Sequence, residues 1–386
     1  MPFLFVRQVT LSLVLCVLCS LYLPNTAAAQ ARGEAPMIDL YTMGIGDHFT
    51  EKFGHAALCV RYPNHPNSDI CYNYGTTDFQ DPVGMGWGFV RGRSKFWVST
   101  QAPPTMLGLY VHRDRDVWVQ ELQLPEAQAR AIAAQLEFDS LEENRYYHYH
   151  HFNNNCATRL RDILDRNTNG ALKRGTESEI APSFRDFGRE GFASMPMLGL
   201  ATDYVLGRIG DKHPSEYDAM FLPRILRAAV QERYGAVPIV VYQRKGPDFD
   251  TNPGNGRLYI FLLSVLLACP LLWAWFQRKI HFYHLLPGAL ALFVLGFLLW
   301  ALAILSPLPM ARYNENLLLF FPMDLALLWI RPRWRQRYAQ IRVSIVLLAS
   351  VLAVIGLFKQ PLWAVSALPV LILLPLALPR PDNARE

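Results

Sequence analysis

Asn153-Asn154-Asn155-Cys156-Ala157-Thr158-Arg159-Leu160, continuing to Arg166, is the stretch whose reading decides the fold of the front half of the chain. Leu160, Ile163 and Leu164 recur at helical spacing, so a helix is expected over Cys156–Arg166. Asn155 is a good N-cap for it, which places Cys156 in its first turn. A thiolate there is stabilised by unpaired backbone N–H groups and by the positive end of the helix dipole, so its pKa is expected to fall. The same N–H groups are suited to binding an oxyanion as a thioester forms. The competing reading is an inert thiol, because free cysteine is among the most buried residues.

Cysteine acyl chemistry also wants an imidazole within hydrogen-bond reach, oriented by a third polar group. His55 is the better candidate, since it follows Phe53-Gly54 at the start of a strand-like stretch and the small Gly54 permits close backbone approach. The rival is the cluster His148, His150 and His151 just before the cysteine. On an extended strand His148 and His150 share one face and His151 takes the other. With Cys156 they could bind a metal, but their spacing matches no strong zinc signature. They are read as lining the site or lying on the surface, and no metal or cofactor is expected.

Upstream, Met37–Met43 reads as a strand and Gly44–Gly54 as a glycine-containing loop. His55–Tyr62 and Asp69–Gly75 read as a hairpin around a Pro/Asn turn. Val83–Val98 is rich in glycine and aromatics, and Val117–Leu124 alternates as a further strand. From Pro125 a helix runs to about Glu143, and Ala181–Tyr234 is mostly helical. Of six cysteines, Cys16 and Cys19 lie in a signal sequence and Cys269 in an apolar run. Cys59 and Cys71 could pair across the hairpin, which leaves Cys156 as the free exported thiol.

The export signal is the apolar run Val9–Leu23 followed by Ala27-Ala28-Ala29, with cleavage expected after Ala29. From Leu258 onward apolar runs dominate: Leu258–Phe276, Leu285–Leu305, Leu317–Ile330, Val343–Phe358 and Leu362–Leu378. These are read as five membrane helices, the third short and holding Asp324. With the front domain outside, the inner segments hold Arg278, Lys279, Arg331, Arg333, Arg335, Arg337, Arg342, Arg380 and Arg385, against Arg312 and Lys359 outside. That asymmetry follows the positive-inside rule, so the net charge of +5 is a topology signal and not a nucleic-acid footprint. The expected organisation is a signal peptide at 1–29, an exported domain at 30–245 and a linker at 246–257. A transmembrane domain at 258–379 and a cytoplasmic tail at 380–386 follow.

Phe53-Gly54-His55-Ala56-Ala57, then Tyr72-Asn73-Tyr74-Gly75-Thr76, then Asn155-Cys156 opening a helix resembles the circularly permuted papain-like fold. There the histidine precedes the cysteine, as in lecithin:retinol acyltransferase and permuted NlpC-type proteins. More closely, the chain resembles the Lnb-type lipoprotein N-acyltransferases. Phe89-Val90-Arg91-Gly92, Phe184-Arg185-Asp186, Met220-Phe221-Leu222-Pro223 and Tyr313-Asn314-Glu315-Asn316-Leu317 add to the likeness. The resemblance implies an α+β, permuted papain-like (NlpC-type) exported domain followed by an all-α transmembrane bundle. It also implies a bacterial inner-membrane enzyme with its catalytic domain in the periplasm. Cys156, with His55 as base, would take an acyl chain from a membrane phospholipid and pass it to the N-terminal amine of a lipoprotein.

For the third catalytic member Asn73 or Tyr74 is favoured, then Asp78; Tyr41, Gly54, Asn155 and His151 are expected around the substrate. Asp324 is read as either functional or structural, and the Asn314–Asn316 loop as facing the catalytic domain. Four other readings compete: a phospholipase, a cell-wall peptidase of the NlpC kind, a membrane-anchored binding module with an inert Cys156, and metal-dependent hydrolysis by the histidine cluster. The partners expected are phospholipid and lipoprotein, with no nucleic acid.

Overall fold

β1 (Met37–Met43) is an inner strand of the exported domain, paired on both sides. The computed structural model describes residues 33–78, 80–249 and 256–379. The expected signal peptide and tail, and residues 250–255 of the linker, lie outside the described residues. β2 (His55–Arg61), β3 (Ile70–Thr76), β4 (Lys95–Gln101), β5 (Val117–Leu122), β6 (Tyr146–His148) and β7 (Ile239–Tyr242) complete one antiparallel sheet. Its order is β6-β4-β3-β2-β1-β5-β7.

The strands alternate, so each face buries its own set of side chains. Ile38, Leu40, Ala56, Leu58, Val60, Tyr72 and Tyr74 face one helical layer. That layer contains α3 (Glu126–Ser140), α4 (Cys156–Asn167) and α7 (Pro223–Tyr234). The opposite face carries Met43, Ala57, Cys59 and Cys71, and it is covered by Met106 and Tyr110 of α2 (Pro103–His112). Cys59 and Cys71 stand directly opposite each other on β2 and β3 and are joined by a disulfide. The sequence reading left α2 unassigned, along with β7 and α1 (Pro82–Val90).

One irregularity positions everything that follows. The β2–β3 ladder runs from Val60↔Ile70 to Leu58↔Tyr72 and stops short of His55. On its other side β3 loses register with β4 between Asn73 and Thr76, where Gly75 has φ 95°. A bulge of this kind bends its strand away from its neighbour. The N-terminus of α4 fills the opening, and a Cβ on Gly75 would stand 3.6 Å from that of Cys156.

Behind the domain, α5 (Phe184–Gly191) and α6 (Pro196–Val205) lead toward the apolar half. Among the described residues three helices are long and apolar enough to cross a membrane: α8 (Gly256–Phe276), α9 (Phe282–Leu305) and α10 (Pro332–Val354). The shorter apolar α11 (Ala367–Ala377) packs among them. The segment expected as a third membrane helix, Leu317–Ile330, is not α-helical. It consists of two 3-10 turns, Glu315–Leu318 and Pro322–Leu328.

The reason lies in its neighbours. Gly296 of α9 lets the backbone at Phe320–Pro322 approach so closely that a Cβ would meet it at 3.0–3.1 Å. Arg342 donates to the carbonyls of Leu318 and Leu319, both at 2.9 Å, and Trp300 donates to that of Phe320. Irregular backbone at membrane depth needs such internal partners. Asp324, fully buried, accepts from Arg342 at 2.8 and 3.0 Å and from Tyr338 at 2.7 Å. Its role is therefore structural. Arg342, which the sequence reading counted with the inner basic residues, belongs to this buried pair.

The two halves meet at a polar joint. Asn314 and Asn316 donate to the carbonyls of Asp203, Tyr204 and Val205 at the end of α6. The buried Arg185 holds the same segment from the other side through Asp211 and the carbonyls of Thr202, Leu206 and Gly207. At Gly207 a Cβ would stand 2.3 Å from the Tyr313 carbonyl oxygen, so only glycine allows this contact.

Replacing Arg342 by Leu would leave a carboxylate buried without its charge partner. A loss of about 3–5 kcal/mol is expected, read as a lower unfolding midpoint in detergent. The double variant Asp324→Leu/Arg342→Leu should recover part of that loss but not all, because the carbonyls of Leu318 and Leu319 still lack a donor.

Candidate active site

Asn155 builds the turn that presents Cys156. Its Oδ1 accepts from the Thr158 N–H at 2.9 Å, and the Thr158 hydroxyl accepts in return from the Asn155 N–H at 2.8 Å. Its Nδ2 donates to the carbonyls of His151 and Phe221, at 2.7 and 2.9 Å. Cys156 is thus the first residue of a capped helix whose approach is tied to Phe221 in the distant Met220–Pro223 stretch.

The thiol is buried, 9% exposed, and is one of two free cysteines among the described residues. Burial pushes its pKa up, against the expected fall. The backbone N–H groups of Ala56, Ala157 and Cys156, and the charge of Arg115, pull the other way without reversing the effect. The Ala56 N–H is available because β3 has left β2 at that level.

His55 stands next to Ala56. The position that a Gly75 Cβ would occupy is 4.0 Å from His55 Cε1 as well as 3.6 Å from Cys156 Cβ, so imidazole and thiol flank one point. His55 Nε2 donates to Asn73 Oδ1 at 3.4 Å. Asn73 is buried and its Nδ2 has no partner among the described residues. Burial, assisted by the Arg115 charge and opposed by the Asn73 hydrogen bond, lowers the imidazole pKa to about 4. Both thiol and imidazole are therefore neutral at neutral pH. Gly54 sets the approach of His55: its φ is 77°, and a Cβ there would lie 2.8 Å from the Met43 carbonyl oxygen.

Four further residues close the site, and the sequence reading passed over them. Arg115 is 3% exposed; its Nε and Nη2 donate to the Gly44 carbonyl at 2.9 and 2.7 Å. It also lies 3.5 Å from the Glu51 carboxylate. The Tyr110 ring stacks on His55 with centroids 6.0 Å apart, and burial raises its hydroxyl to about 12. The Tyr147 hydroxyl comes within 4.0 Å of the same point and is buried beside Gly75. Tyr149, raised by burial and by Cys156, points its hydroxyl at His151 Nδ1, 3.4 Å away.

The other expected residues are placed as follows. Tyr41 pairs with Ala57, next to the Met43–His55 pair on the same face. Tyr74 turns away into the core, where its hydroxyl donates to Asp139 at 2.7 Å, so it is not the third member. Asp78 is exposed in a turn and accepts from the Gln80 N–H. His151 lies in a cage of Phe53, Phe152 and Phe221 with its Nε2 unpartnered. Burial lowers it, also to about 4. His150 is committed to its own turn, where Nδ1 accepts from the N–H groups of Phe152 and Asn153. Among the described residues no three His, Cys, Asp or Glu side chains are grouped to hold a metal ion.

These features define a class: a membrane-anchored protein whose antiparallel sheet carries a histidine–asparagine pair beside a cysteine at a helix N-terminus. The chain matches the family model described as the Lnb N-terminal periplasmic domain over residues 23–185. The match takes in His55, Asn73 and Cys156, and it ends before the membrane helices. No curated protein and no solved structure matches the chain.

Both buried imidazoles bind a proton less readily in the folded than in the unfolded domain. Their contribution to stability is complete above about pH 6.5 and is lost as the pH falls through 4. The cost is on the order of 3 kcal/mol for each. The unfolding midpoint in detergent is expected to drop between pH 6.5 and 4.5, and His151→Phe should shrink that drop.

Proposed function

We propose that the protein is a cysteine-dependent acyltransferase that moves a fatty acyl chain from a membrane phospholipid to the N-terminal amine of a lipoprotein. The observation that carries this reading is the convergence of the Cys156 thiol, the His55–Asn73 pair and three backbone N–H groups on one buried opening. In this reading the exported domain is a permuted papain-like unit, in which the histidine strand precedes the cysteine helix. It sits in the periplasm on a bundle of five membrane passes in the inner membrane, the third of them made by the two 3-10 turns.

Chemistry follows from the protonation states. With Nε2 donating to Asn73, Nδ1 of His55 is the nitrogen left to accept a proton. A neutral thiol beside a neutral imidazole acts by general-base catalysis: the sulfur attacks the ester carbonyl as its proton passes to His55. The N–H groups of Cys156 and Ala157 and the Tyr147 hydroxyl stabilise the oxyanion. Collapse expels the lysophospholipid alkoxide, which takes the proton from His55 and leaves a thioester on Cys156. The amine of the lipoprotein then attacks the thioester carbonyl, gives its proton to His55 and regenerates the thiol. Arg115 touches no reacting atom. Its charge disfavours imidazolium and favours thiolate, so it is a positioning residue for the proton.

A bilayer-anchored site suits this donor and acceptor, because both are lipids that need not leave the leaflet fully. The test is mass spectrometry of lipoprotein N-termini from cells in which this chain is the sole N-acylating enzyme. Triacylated termini are expected with wild type and only diacylated ones with Cys156→Ala. Asn73→Ala should slow acylation, by up to about 10⁴-fold, without abolishing it, as loss of an orienting group does. Diacylated termini with wild type, together with free fatty acid, would point to a phospholipase.

A further inference from the structure

α1 has an unusual composition for a surface helix. It reads Pro82-Val83-Gly84-Met85-Gly86-Trp87-Gly88-Phe89-Val90 and holds no charged or polar side chain. A helix that is apolar all round belongs in a core or in lipid. Here Val83 is 80% exposed, Trp87 55% and Phe89 44%, and a Cβ on Gly86 would meet nothing within 4 Å. The helix is nevertheless firmly started, with Asp81 accepting from the Gly84 N–H at 2.8 Å.

Its C-terminal end says what covers it. Gly92, with φ 61°, is packed so tightly that a Cβ would stand 2.9 Å from Pro307 Cγ and 3.4 Å from Leu308 Cδ2. Pro307 and Leu308 follow Ser306, the C-cap of α9, at the end of that membrane helix nearest the exported domain. The helix is therefore held level with the outer end of the bundle. Arg91 and Arg93 follow it, Arg91 lying 5.9 Å from the Trp87 ring. Tryptophan and basic residues at the end of an apolar segment are the usual composition of a membrane–water boundary.

We propose that α1 is seated in the headgroup–acyl boundary of the outer leaflet, with Val83, Trp87 and Phe89 in lipid and Arg91 and Arg93 on phosphates. Only five residues, 77–81, join it to β3, whose Gly75 faces the thiol. The helix thus lies where an acyl chain would pass from the leaflet to Cys156. The seating stands on the geometry alone, whereas the passage rests on the acyl-transfer reading.

The test uses the full chain in phosphatidylethanolamine/phosphatidylglycerol vesicles. An environment-sensitive NBD fluorophore is placed on Val83→Cys in a background carrying Cys156→Ser and Cys269→Ser, with Ala127→Cys on α3 as the reference. At 83 the emission is expected to be blue-shifted and quenched by doxyl-labelled lipid but not by iodide; at 127 the reverse holds. Water-like emission and iodide quenching at 83 would overturn the seating. For the passage, Trp87→Asp is expected to raise KM for vesicle phospholipid about tenfold, with kcat unchanged and monomeric short-chain ester turned over as by wild type. Equal slowing on both donors would overturn it. Should wild type transfer no acyl chain at all, the acyl-transfer reading fails while the fluorescence still decides the seating.

Discussion

The departure of β3 from β2 at Gly75 is the constraint on which the site depends. In an unbroken antiparallel ladder the Ala56 N–H would be engaged by the neighbouring strand. Because the ladder stops at Leu58↔Tyr72, that N–H meets the thiol of Cys156, and the N-terminus of α4 lodges beside His55. The disulfide between Cys59 and Cys71 closes the pair just before it opens. A larger residue at 75 would have to adopt a φ of 95°, which side chains with a Cβ rarely do, in contact with Cys156, His55 and Tyr147.

Burial governs the electrostatics of this opening more than any single partner does. A helix N-terminus alone would favour thiolate, yet the fold encloses Cys156 so fully that desolvation outweighs the dipole and the Arg115 charge. Desolvation and Arg115 act in the same direction on His55 and keep it neutral. The resting pair is therefore an uncharged thiol and an uncharged base. In the proposed reaction a substrate carbonyl would meet donors already aimed at the developing charge, without prior separation of charge.

Much of the site could be read from the residues because it is local. Asn155 as cap, Cys156 as first helical residue, His55 opening a strand and the Cys59–Cys71 pairing each follow from short-range pattern. What escaped depends on distant contacts. Arg115 sits in a run of alternating charges, Arg113-Asp114-Arg115-Asp116, that reads as a solvated turn. Its burial comes from Gly44 and Glu51, some seventy residues earlier. Tyr74 was a fair alternative to Asn73 until the strand's facing was known, because adjacent strand residues point to opposite faces. Hydropathy found the apolar segment at 317–330 but not its backbone, which is set by Gly296 and Arg342 on other helices.

The central claim is that the Cys156 sulfur carries the acyl chain, and the adduct itself is the most direct test of it. The full chain is incubated with phospholipid vesicles without an amine acceptor, digested, and the peptide containing Cys156 analysed by mass spectrometry before and after hydroxylamine. The account predicts a fatty acyl mass on Cys156 that hydroxylamine removes and that does not form in His55→Ala. An unmodified Cys156 peptide, from protein that still acylates a lipoprotein amine once it is supplied, would contradict it.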